Sequence, residues 1–174
     1  MASGKSHVGR VLSQQLDWPL IDADEEIVKQ QGKSIESIFE KDGEAAFREV
    51  ERSIIANLCA GKGNVIAAGG GAFLDSDNRR LMLASGTVFC LSASAETIYS
   101  RICKDTGPGI AIRPLLAGDN PRECIKTLLA QRAEAYSQAH YIVQTDSLTP
   151  EQVAERILQL CSCDDQTQAG SLSG

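Results

Sequence analysis

Met1-Ala2-Ser3-Gly4-Lys5-Ser6 stands directly before residues 7–16, whose apolar spacing predicts an amphipathic helix. The six residues match all but the first two positions of the phosphate-binding pattern G-x-x-x-x-G-K-[ST]. In that pattern the backbone N–H groups of a tight loop and the positive end of the following helix bind phosphate. Lys5 would neutralise phosphate oxygens, and the Ser6 hydroxyl would coordinate Mg²⁺. The alternative interpretation is a flexible basic N-terminus.

The start of the chain departs from this pattern in one respect. A phosphate-binding loop of this kind normally follows a buried strand, and too few residues precede Ser3 to form one. The first glycine of the loop is absent as well. We therefore expect that a segment of the complete sequence is missing here, through a misplaced start codon or a truncation, and that Met1 is an internal residue of the loop.

Downstream, short β-branched segments alternate with amphipathic ones. This alternation predicts an α/β fold with a parallel β-sheet covered by helices on both faces. The predicted strands are residues 19–22, 65–67, 87–91 and 141–143. The predicted helices are residues 7–16, 25–30, 35–39 and 43–60, with further helices starting after the N-caps Asn120 and Thr149. One domain is expected over residues 1–160, followed by a disordered tail at 161–174, because the residues from Asp164 onward are polar and small.

Composition narrows the class of protein. The chain has 174 residues with 43% apolar and 23% charged residues, which is typical of one globular domain. A net charge of −6 disfavours nucleic acid or membrane partners. Six cysteines without a metal-binding spacing predict thiols in a reducing compartment. With no predicted membrane span or signal peptide, we expect a cytoplasmic monomer, with the plastid stroma as the alternative location.

Two carboxylates follow the first predicted strand, at Asp22 and Asp24. The C-terminal ends of parallel strands are where such folds bind ligands. Alternate residues of an extended chain point the same way, so both side chains are predicted to face one site. One would assist Mg²⁺ through water, and the other would accept a hydrogen bond from a substrate hydroxyl. The alternative is that both complement the dipole of the helix predicted to start at Glu25.

A charged triplet lies on one face of the helix predicted over residues 43–60. Glu44, Arg48 and Glu51 are spaced four and three residues apart. This spacing is typical of a solvated ion-pair ladder. The alternative is that the glutamates hold Arg48 so that its guanidinium binds a substrate carboxylate.

Gly69-Gly70-Gly71 follows the second predicted strand directly. Three successive glycines are unfavourable in entropy unless the backbone must approach another group closely. A ligand-facing loop is therefore favoured over a plain turn.

The irregular segment from Lys104 to Arg122 is the last candidate. An irregular stretch of this length is typical of a lid or of a disordered loop. A lid carrying Arg113 would exclude water from the phosphates and add positive charge at the transition state. Arg132, on the helix that follows, would complete a second anion-binding group. An ordinary surface loop is the alternative.

Taken in order, these motifs resemble those of the shikimate kinase family. The stretches that carry the resemblance are MASGKS at 1–6, IDADEEI at 21–27, SIESIFEKDGEAAFREVE at 34–51, GGG at 69–71, RPLLAG at 113–118, and Arg132 with Tyr136. The resemblance implies a fold like that of the nucleoside monophosphate kinases, a parallel sheet whose first, central strand is missing here. It also implies ATP and shikimate as substrates and Mg²⁺ as cofactor.

The resemblance further implies a role for each candidate residue. The implied catalytic residues are Lys5, Asp24 and the lid residue Arg113, and the implied ATP-binding residues are Ser3, Gly4, Lys5, Ser6, Lys104 and Arg113. Lys104 would stack on adenine, and Ser6 and Asp22 would bind the metal. The implied shikimate-binding residues are Asp24, Arg48, Gly70, Gly71 and Arg132.

The expected reaction is transfer of the γ-phosphoryl group of ATP to the 3-hydroxyl of shikimate, a step of aromatic amino acid biosynthesis. Two alternatives stay open. One is a related small-molecule kinase that acts on gluconate or a nucleoside monophosphate. The other is a truncated or non-catalytic protein of the same family.

Overall fold

The computed structural model describes residues 3–105 and 120–170 of the chain. Its first half contains α1 (Lys5–Leu16), β1 (Leu20–Asp22), α2 (Ala23–Gln31), α3 (Ile35–Lys41), α4 (Gly43–Ala60) and β2 (Val65–Ala67). A 3₁₀ turn (Ala72–Leu74) and α5 (Ser76–Ser85) follow, and then come β3 (Phe89–Ser92), α6 (Ala95–Asp105), α7 (Pro121–Tyr136), β4 (Tyr141–Gln144) and α8 (Pro150–Gly170). The α/β class and the order of strands and helices predicted from the sequence are confirmed.

Local sequence signals account for the helix starts. Asn120 accepts a hydrogen bond from the Glu123 N–H at 3.4 Å, with Pro121 in the first turn of α7. At α8, Thr149 and Gln152 form the reciprocal capping box that the sequence predicts, with bonds of 2.9 and 3.3 Å. Both caps depend only on residues three apart, which is why the sequence suffices to locate them.

Two elements differ from the sequence prediction. Helix α5 was not predicted, although Asp75 caps it by accepting hydrogen bonds from the N–H groups of Asp77 and Asn78. Helix α8 continues to Gly170, which lies beyond the domain end expected at residue 160, and the tail expected at 161–174 stays a prediction.

The strands form two parallel pairs. In one pair Leu20 lies opposite Val65, and in the other Phe89 lies opposite Tyr141. The parallel direction agrees with the sequence prediction. The resemblance implies a parallel sheet whose central strand is missing, and within residues 3–105 and 120–170 each strand has only one hydrogen-bonded neighbour. No described strand lies between β2 and β3.

Helices cover both faces of the strand pairs. Helices α1 and α8 pack against each other on one face, where Val8, Val143 and Ile157 are buried together. Helix α4 packs against α2, α3 and α5 around Ile27 and Ile55. A third cluster joins α6 to α7. The buried core of the described residues is thus divided among three clusters rather than forming one. In the described part of the chain, no helix combines the length and the apolarity needed to cross a membrane.

The loop after β4 is tied to the start of α6 by Asp146. Its carboxylate accepts a hydrogen bond of 2.8 Å from the Ser94 N–H. Hydrogen bonds from Ser94 and Thr97 lower the pKa of Asp146 to about 2. The charged carboxylate therefore stabilises the folded state relative to the unfolded chain.

We expect Asp146→Asn to lower the free energy of unfolding at neutral pH by about 1 kcal/mol or less, because the carboxylate is exposed to solvent. The unfolded pKa of an aspartate is about 3.9, above the folded value, so this stabilisation is present above roughly pH 4 and is lost as the pH falls through the folded pKa. Urea unfolding of both proteins across this range measures the effect. Asp77→Asn, which changes an exposed ion pair with Arg80, is the control. A wild-type advantage that does not shrink in acid would contradict the assignment.

Candidate active site

The predicted phosphate-binding loop leads directly into α1. Gly4 is the N-cap of this helix and has a φ of 88°, in the left-handed region that favours glycine. The side chain of Ser3 is buried. No side chain caps the first turn of α1, and the backbone N–H groups at the start of a helix suit an anion. Ser3, Gly4, Lys5 and Ser6 are therefore adjacent at the positive end of a twelve-residue helix.

Ser6 and Asp22 meet at this end of α1. The Ser6 hydroxyl donates a hydrogen bond to Asp22 Oδ2 at 3.4 Å. Asp22 ends β1 and also caps α2, since its Oδ1 accepts from the Asp24 N–H at 3.0 Å. Asp22 therefore acts at the start of a helix, as the alternative interpretation expects. It also lies beside Ser6, with which it is predicted to bind the metal.

Asp24 reaches the site by a different geometry from the one predicted. It lies in the first turn of α2 rather than on extended chain, because the helix begins at Ala23. Its carboxylate nevertheless lies against the glycine loop. A Cβ added at Gly69 would lie 3.0 Å from Asp24 Oδ1. The prediction that Asp22 and Asp24 alternate along a strand is wrong, although both carboxylates remain at the C-terminal end of β1.

Arg48 is held on α4 by two carboxylates. Its Nη1 donates to Glu51 Oε2 at 2.7 Å, and its Nε and Nη2 donate to Glu44 Oε1 at 3.3 and 3.2 Å. Partial burial opposes the charge of Arg48, but these bonds outweigh it and raise its pKa. The guanidinium also lies over the ring of Phe47 at 5.2 Å from the centroid. Arg48 is thus both a member of an ion-pair ladder and a cation fixed in position.

Glu51 is unlike the other members of that ladder. Its side chain is only 4% exposed, compared with 68% for Glu44. Burial raises the pKa of Glu51, and the nearby charges of Asp24 and Asp75 add to the effect, while Arg48 opposes it. The Arg48–Glu51 contact is therefore a largely desolvated charge pair that orients the guanidinium. The sequence showed the spacing but gave no sign of this burial.

Gly71 lies directly against Arg48. A Cβ at this position would lie 2.7 Å from Nη1 and 3.1 Å from Nη2 of Arg48. Gly71 has φ and ψ of −76° and −31°, which any residue adopts, so close approach rather than backbone conformation explains the glycine.

Tyr136 joins the same loop to α7. Its hydroxyl donates to the Gly70 carbonyl at 2.8 Å. Burial raises the pKa of Tyr136, whereas the charge of Arg132 and a hydrogen bond with Arg132 lower it. Arg132 therefore lies beside Tyr136, one helical turn away on α7. Tyr136 is one of the residues that carry the family resemblance, but its sequence position alone predicts no role for it.

The glycine loop, residues 69–71, is thus the meeting point of three separate elements. Asp24 from α2, Arg48 from α4 and Tyr136 from α7 contact it, with Arg132 beside Tyr136. Lys104 is exposed in the last turn of α6. Arg113, predicted as a lid residue, lies outside the described residues. The arrangement places two guanidinium groups and a carboxylate around the half-buried glycine loop, which suits a small ligand that carries both a carboxylate and hydroxyl groups.

The chain is similar to known proteins over most of its length. The family model for shikimate kinase matches residues 1–162. The shikimate kinase of Thermodesulfovibrio yellowstonii is 40% identical over 159 residues, covering 91% of this chain and 89% of the relative. The enzyme of Pseudomonas syringae pv. syringae is also 40% identical over 159 residues, with coverage of 91% and 90%.

Solved structures show the same similarity. A shikimate kinase from Acinetobacter baumannii in complex with shikimate superposes with a TM-score of 0.85 at 35% identity, covering 94% of this chain and 89% of that structure. The shikimate kinase of Aquifex aeolicus gives a TM-score of 0.75 at 33% identity, with coverage of 100% and 95%. The family match over nearly all of the described chain, together with these relatives, shows that this chain belongs to the shikimate kinase family, whose members transfer a phosphoryl group from ATP to shikimate.

Proposed function

We propose that this chain phosphorylates the 3-hydroxyl of shikimate with ATP, using the start of α1 for the phosphates and the glycine loop for the acceptor. The observation that carries the proposal is the convergence of Asp24, Arg48 and Tyr136 on residues 69–71. Shikimate is a hydroxylated carboxylic acid. A site for it needs cations for the carboxylate and a hydrogen-bond acceptor for the hydroxyls.

The N-terminal end of α1 would hold the phosphates. Backbone N–H groups at the start of a helix and a lysine ammonium together stabilise phosphate oxygens. Lys5 would neutralise charge as it develops during transfer, which is the main task of the protein in phosphoryl transfer. Arg113 and Lys104 keep the proposed roles of lid arginine and adenine contact.

The donor set near Ser6 fits Mg²⁺. A hydroxyl oxygen and a carboxylate oxygen, 3.4 Å apart, are the hard ligands that this ion prefers. Within the described residues no group of three acidic, histidine or cysteine side chains could hold a metal unaided. Mg²⁺ would therefore be held by Ser6 directly, by Asp22 through water, and by the nucleotide phosphates. When bound, the ion supplies positive charge at the transferring phosphoryl group.

The acceptor would be bound on the other side of the site. Arg48 and Arg132 would pair with the carboxylate, and Gly70 and Gly71 would let the ring approach the backbone closely. Asp24 would accept a hydrogen bond from the attacked hydroxyl, orient it and receive its proton. Because Glu51 and Glu44 already hold Arg48, its side chain would lose little further conformational entropy when shikimate binds.

The test is a panel of acceptors assayed by ADP release with Mg²⁺ and ATP. We expect release with shikimate and none above background with gluconate or nucleoside monophosphates. Isothermal titration calorimetry with shikimate alone separates a binding-competent site from a catalytic one. Phosphorylation of gluconate but not shikimate would overturn the proposal. Binding of shikimate without turnover would support the proposed acceptor site but contradict the proposed catalytic activity.

A conservative change at Tyr136 tests the role of the glycine loop. We expect Tyr136→Phe to weaken shikimate binding about threefold to tenfold, because Gly70 loses a hydrogen bond worth about 1 kcal/mol and the loop is held less firmly. Calorimetry measures the affinity, and the KM for ATP should stay unchanged.

The control for this variant is Tyr99→Phe. Tyr99 lies on α6, and the Cζ atom of Arg122 lies 4.6 Å from the centroid of its ring. Tyr99→Phe therefore removes the same kind of hydroxyl group at a position away from the glycine loop. Equal losses of shikimate affinity in the two variants would mean that the effect at Tyr136 is general destabilisation.

A further inference from the structure

Hydrogen bonds to main-chain carbonyls fix the glycine loop and the 3₁₀ turn that follows it, residues 69–74. This segment lies between β2 and α5, so its polar main-chain groups need partners outside a regular strand or α-helix. The carbonyls of Gly69 and Gly71 accept hydrogen bonds from the N–H groups of Ala72 and Leu74, at 3.1 and 3.0 Å. The carbonyls at 70, 72, 73 and 74 accept from side chains instead. Side chains of neighbouring helices therefore help to decide the path of the segment.

Helix α5 supplies two of these side chains from adjacent positions. Asn78 is only 3% exposed, and its Nδ2 donates to the Ala72 carbonyl at 3.2 Å. Arg79 donates from Nη1 to the carbonyls of Phe73 and Leu74, at 2.9 and 3.1 Å. The 3₁₀ turn is thus held along its whole length by one turn of α5.

Arg79 also reaches beyond the C-terminal end of α7. Its Nε donates to Gln138 Oε1 at 2.9 Å. Gln138 follows directly on the helix that carries Arg132 and Tyr136. The acceptors of Arg79 are all neutral oxygens, and a planar guanidinium, whose donors point in fixed directions, can bond to two separate elements at once. One side chain therefore joins the 3₁₀ turn to the end of α7.

The neighbouring Arg80 shows that position on the helix, and not residue type, gives Arg79 these contacts. Successive residues of a helix point about 100° apart around its axis. The Arg80 side chain is 82% exposed and pairs with Asp77 at 3.1 Å. Arg79 is half-buried, and its Cζ atom lies 6.0 Å from the centroid of the buried Phe73 ring. The sequence places two arginines in succession and does not distinguish between them.

We propose that Arg79 is a positioning residue for the acceptor site, an inference that rests on the proposed function. Arg79 does not touch the acceptor. It sets the spacing between the glycine loop and the C-terminal end of α7. The Tyr136 hydroxyl makes a second bridge across the same gap, to the Gly70 carbonyl at 2.8 Å.

This spacing affects binding because the two arginines proposed for the acceptor carboxylate lie on opposite sides of it. A Cβ at Gly71 would lie 2.7 Å from Nη1 of Arg48, so the position of the loop limits the position of Arg48. Arg132 moves with α7. A change in the spacing therefore changes the distance between the two guanidinium groups, and a displacement of about 1 Å is enough to weaken a binding site.

Replacing Arg79 with lysine tests the bridge while keeping the positive charge. A single ammonium group can bond to the turn or to Gln138, but it lacks the fixed fork that holds both. We expect the affinity for shikimate, measured by calorimetry, to fall about threefold to tenfold, which corresponds to the loss of about one hydrogen bond. The KM for ATP should stay unchanged. Arg80→Lys makes the same change one residue later on α5 and is the control, with no loss of affinity expected.

Variants at Gln138 test the other end of the bridge. Gln138 is exposed, so both variants are expected to fold. Gln138→Leu removes the acceptor at similar size, and Gln138→Glu retains an acceptor for Arg79 Nε. We expect the leucine variant to bind shikimate about as weakly as Arg79→Lys, and the glutamate variant to bind it like the unmodified protein. Recovery with glutamate would identify the hydrogen bond itself as the cause.

Amide hydrogen exchange without ligands measures how firmly Arg79 holds the loop. The N–H groups of Ala72 and Leu74 bond within the segment, whereas the Val65 N–H bonds to the Pro19 carbonyl. In Arg79→Lys we expect exchange at Ala72 and Leu74 to be faster by at least about fivefold, with exchange at Val65 unchanged. Equal acceleration at all three amides would indicate general destabilisation and overturn the inference.

The outcomes separate this inference from the proposed function. An unmodified protein that binds no shikimate would contradict the proposed function and, with it, the role of Arg79 at the acceptor site. Equal shikimate affinity in the unmodified protein, Arg79→Lys and Gln138→Leu would overturn only the role of Arg79. Equal losses of affinity in Arg79→Lys and Arg80→Lys, or an equal rise in the KM for ATP, would overturn it too.

Discussion

Replacing Arg48 with alanine is expected to weaken shikimate binding by about 100-fold. Truncating one member of a buried, hydrogen-bonded charge pair at a binding site costs about 2–5 kcal/mol, and 100-fold corresponds to roughly 2.7 kcal/mol. Here the proposed partner is the shikimate carboxylate, and Arg48 is already oriented for it by Glu51 at 2.7 Å. Calorimetry measures the affinity, and the KM for ATP should change far less.

Two further variants separate binding from stability. Arg48→Ala leaves Glu51 buried without its cation, so the free energy of unfolding should also fall. The double variant with Glu51→Gln removes that buried charge and should recover part of the stability but none of the affinity. Arg52→Ala, on the same helix, breaks an exposed pair with Asp75 and is the matched control. Near-normal shikimate binding by Arg48→Ala would refute the carboxylate-binding role.

Replacing Gly71 with alanine is expected to weaken shikimate binding by at least about tenfold, with a smaller loss of stability than Arg48→Ala causes. The new Cβ would lie 2.7 Å from Nη1 of Arg48, well inside contact distance, so the guanidinium must move. Its flexible side chain can do so without disturbing the backbone, and the φ and ψ of Gly71 suit alanine. Displacement of a binding group by about 1 Å can change activity by up to about 100-fold.

The control for Gly71→Ala is Gly86→Ala. No atom lies within 4 Å of a Cβ added at Gly86, and its φ of −172° is ordinary extended backbone. Calorimetry and thermal unfolding of both variants give affinity and stability together. If Gly71→Ala binds shikimate as tightly as Gly86→Ala, the glycine loop does not form a wall of the acceptor site.

Most of the local structure could be predicted from the sequence. The strand at Val65–Ala67 and the helix at Gly43–Ala60 agree with the predicted residues, and the caps at Asn120 and Thr149 form as expected. These features depend on side-chain periodicity or on residues within one helical turn. Helix α5 was missed because its capping residue, Asp75, follows a glycine-rich stretch that was interpreted only as a loop.

The candidate site could be predicted only in part. The glycines and Arg48 stood out by composition and spacing, and the resemblance supplied their roles. The geometry of Asp24 was predicted wrongly, because the change from strand to helix at Ala23 depends on the cap formed by Asp22. Roles for Lys104, Arg113 and Arg132 stay predictions.

The sequence by itself determined the α/β class, the residue types that suit phosphate and carboxylate ligands, and the resemblance to shikimate kinases. Only the tertiary structure decided that Asp24, Arg48 and Tyr136 meet at residues 69–71, and that Glu51 is buried beneath Arg48. The physical reason is sequence separation. Periodicity and capping act over a few residues, whereas these contacts join elements that come together only when the whole chain packs.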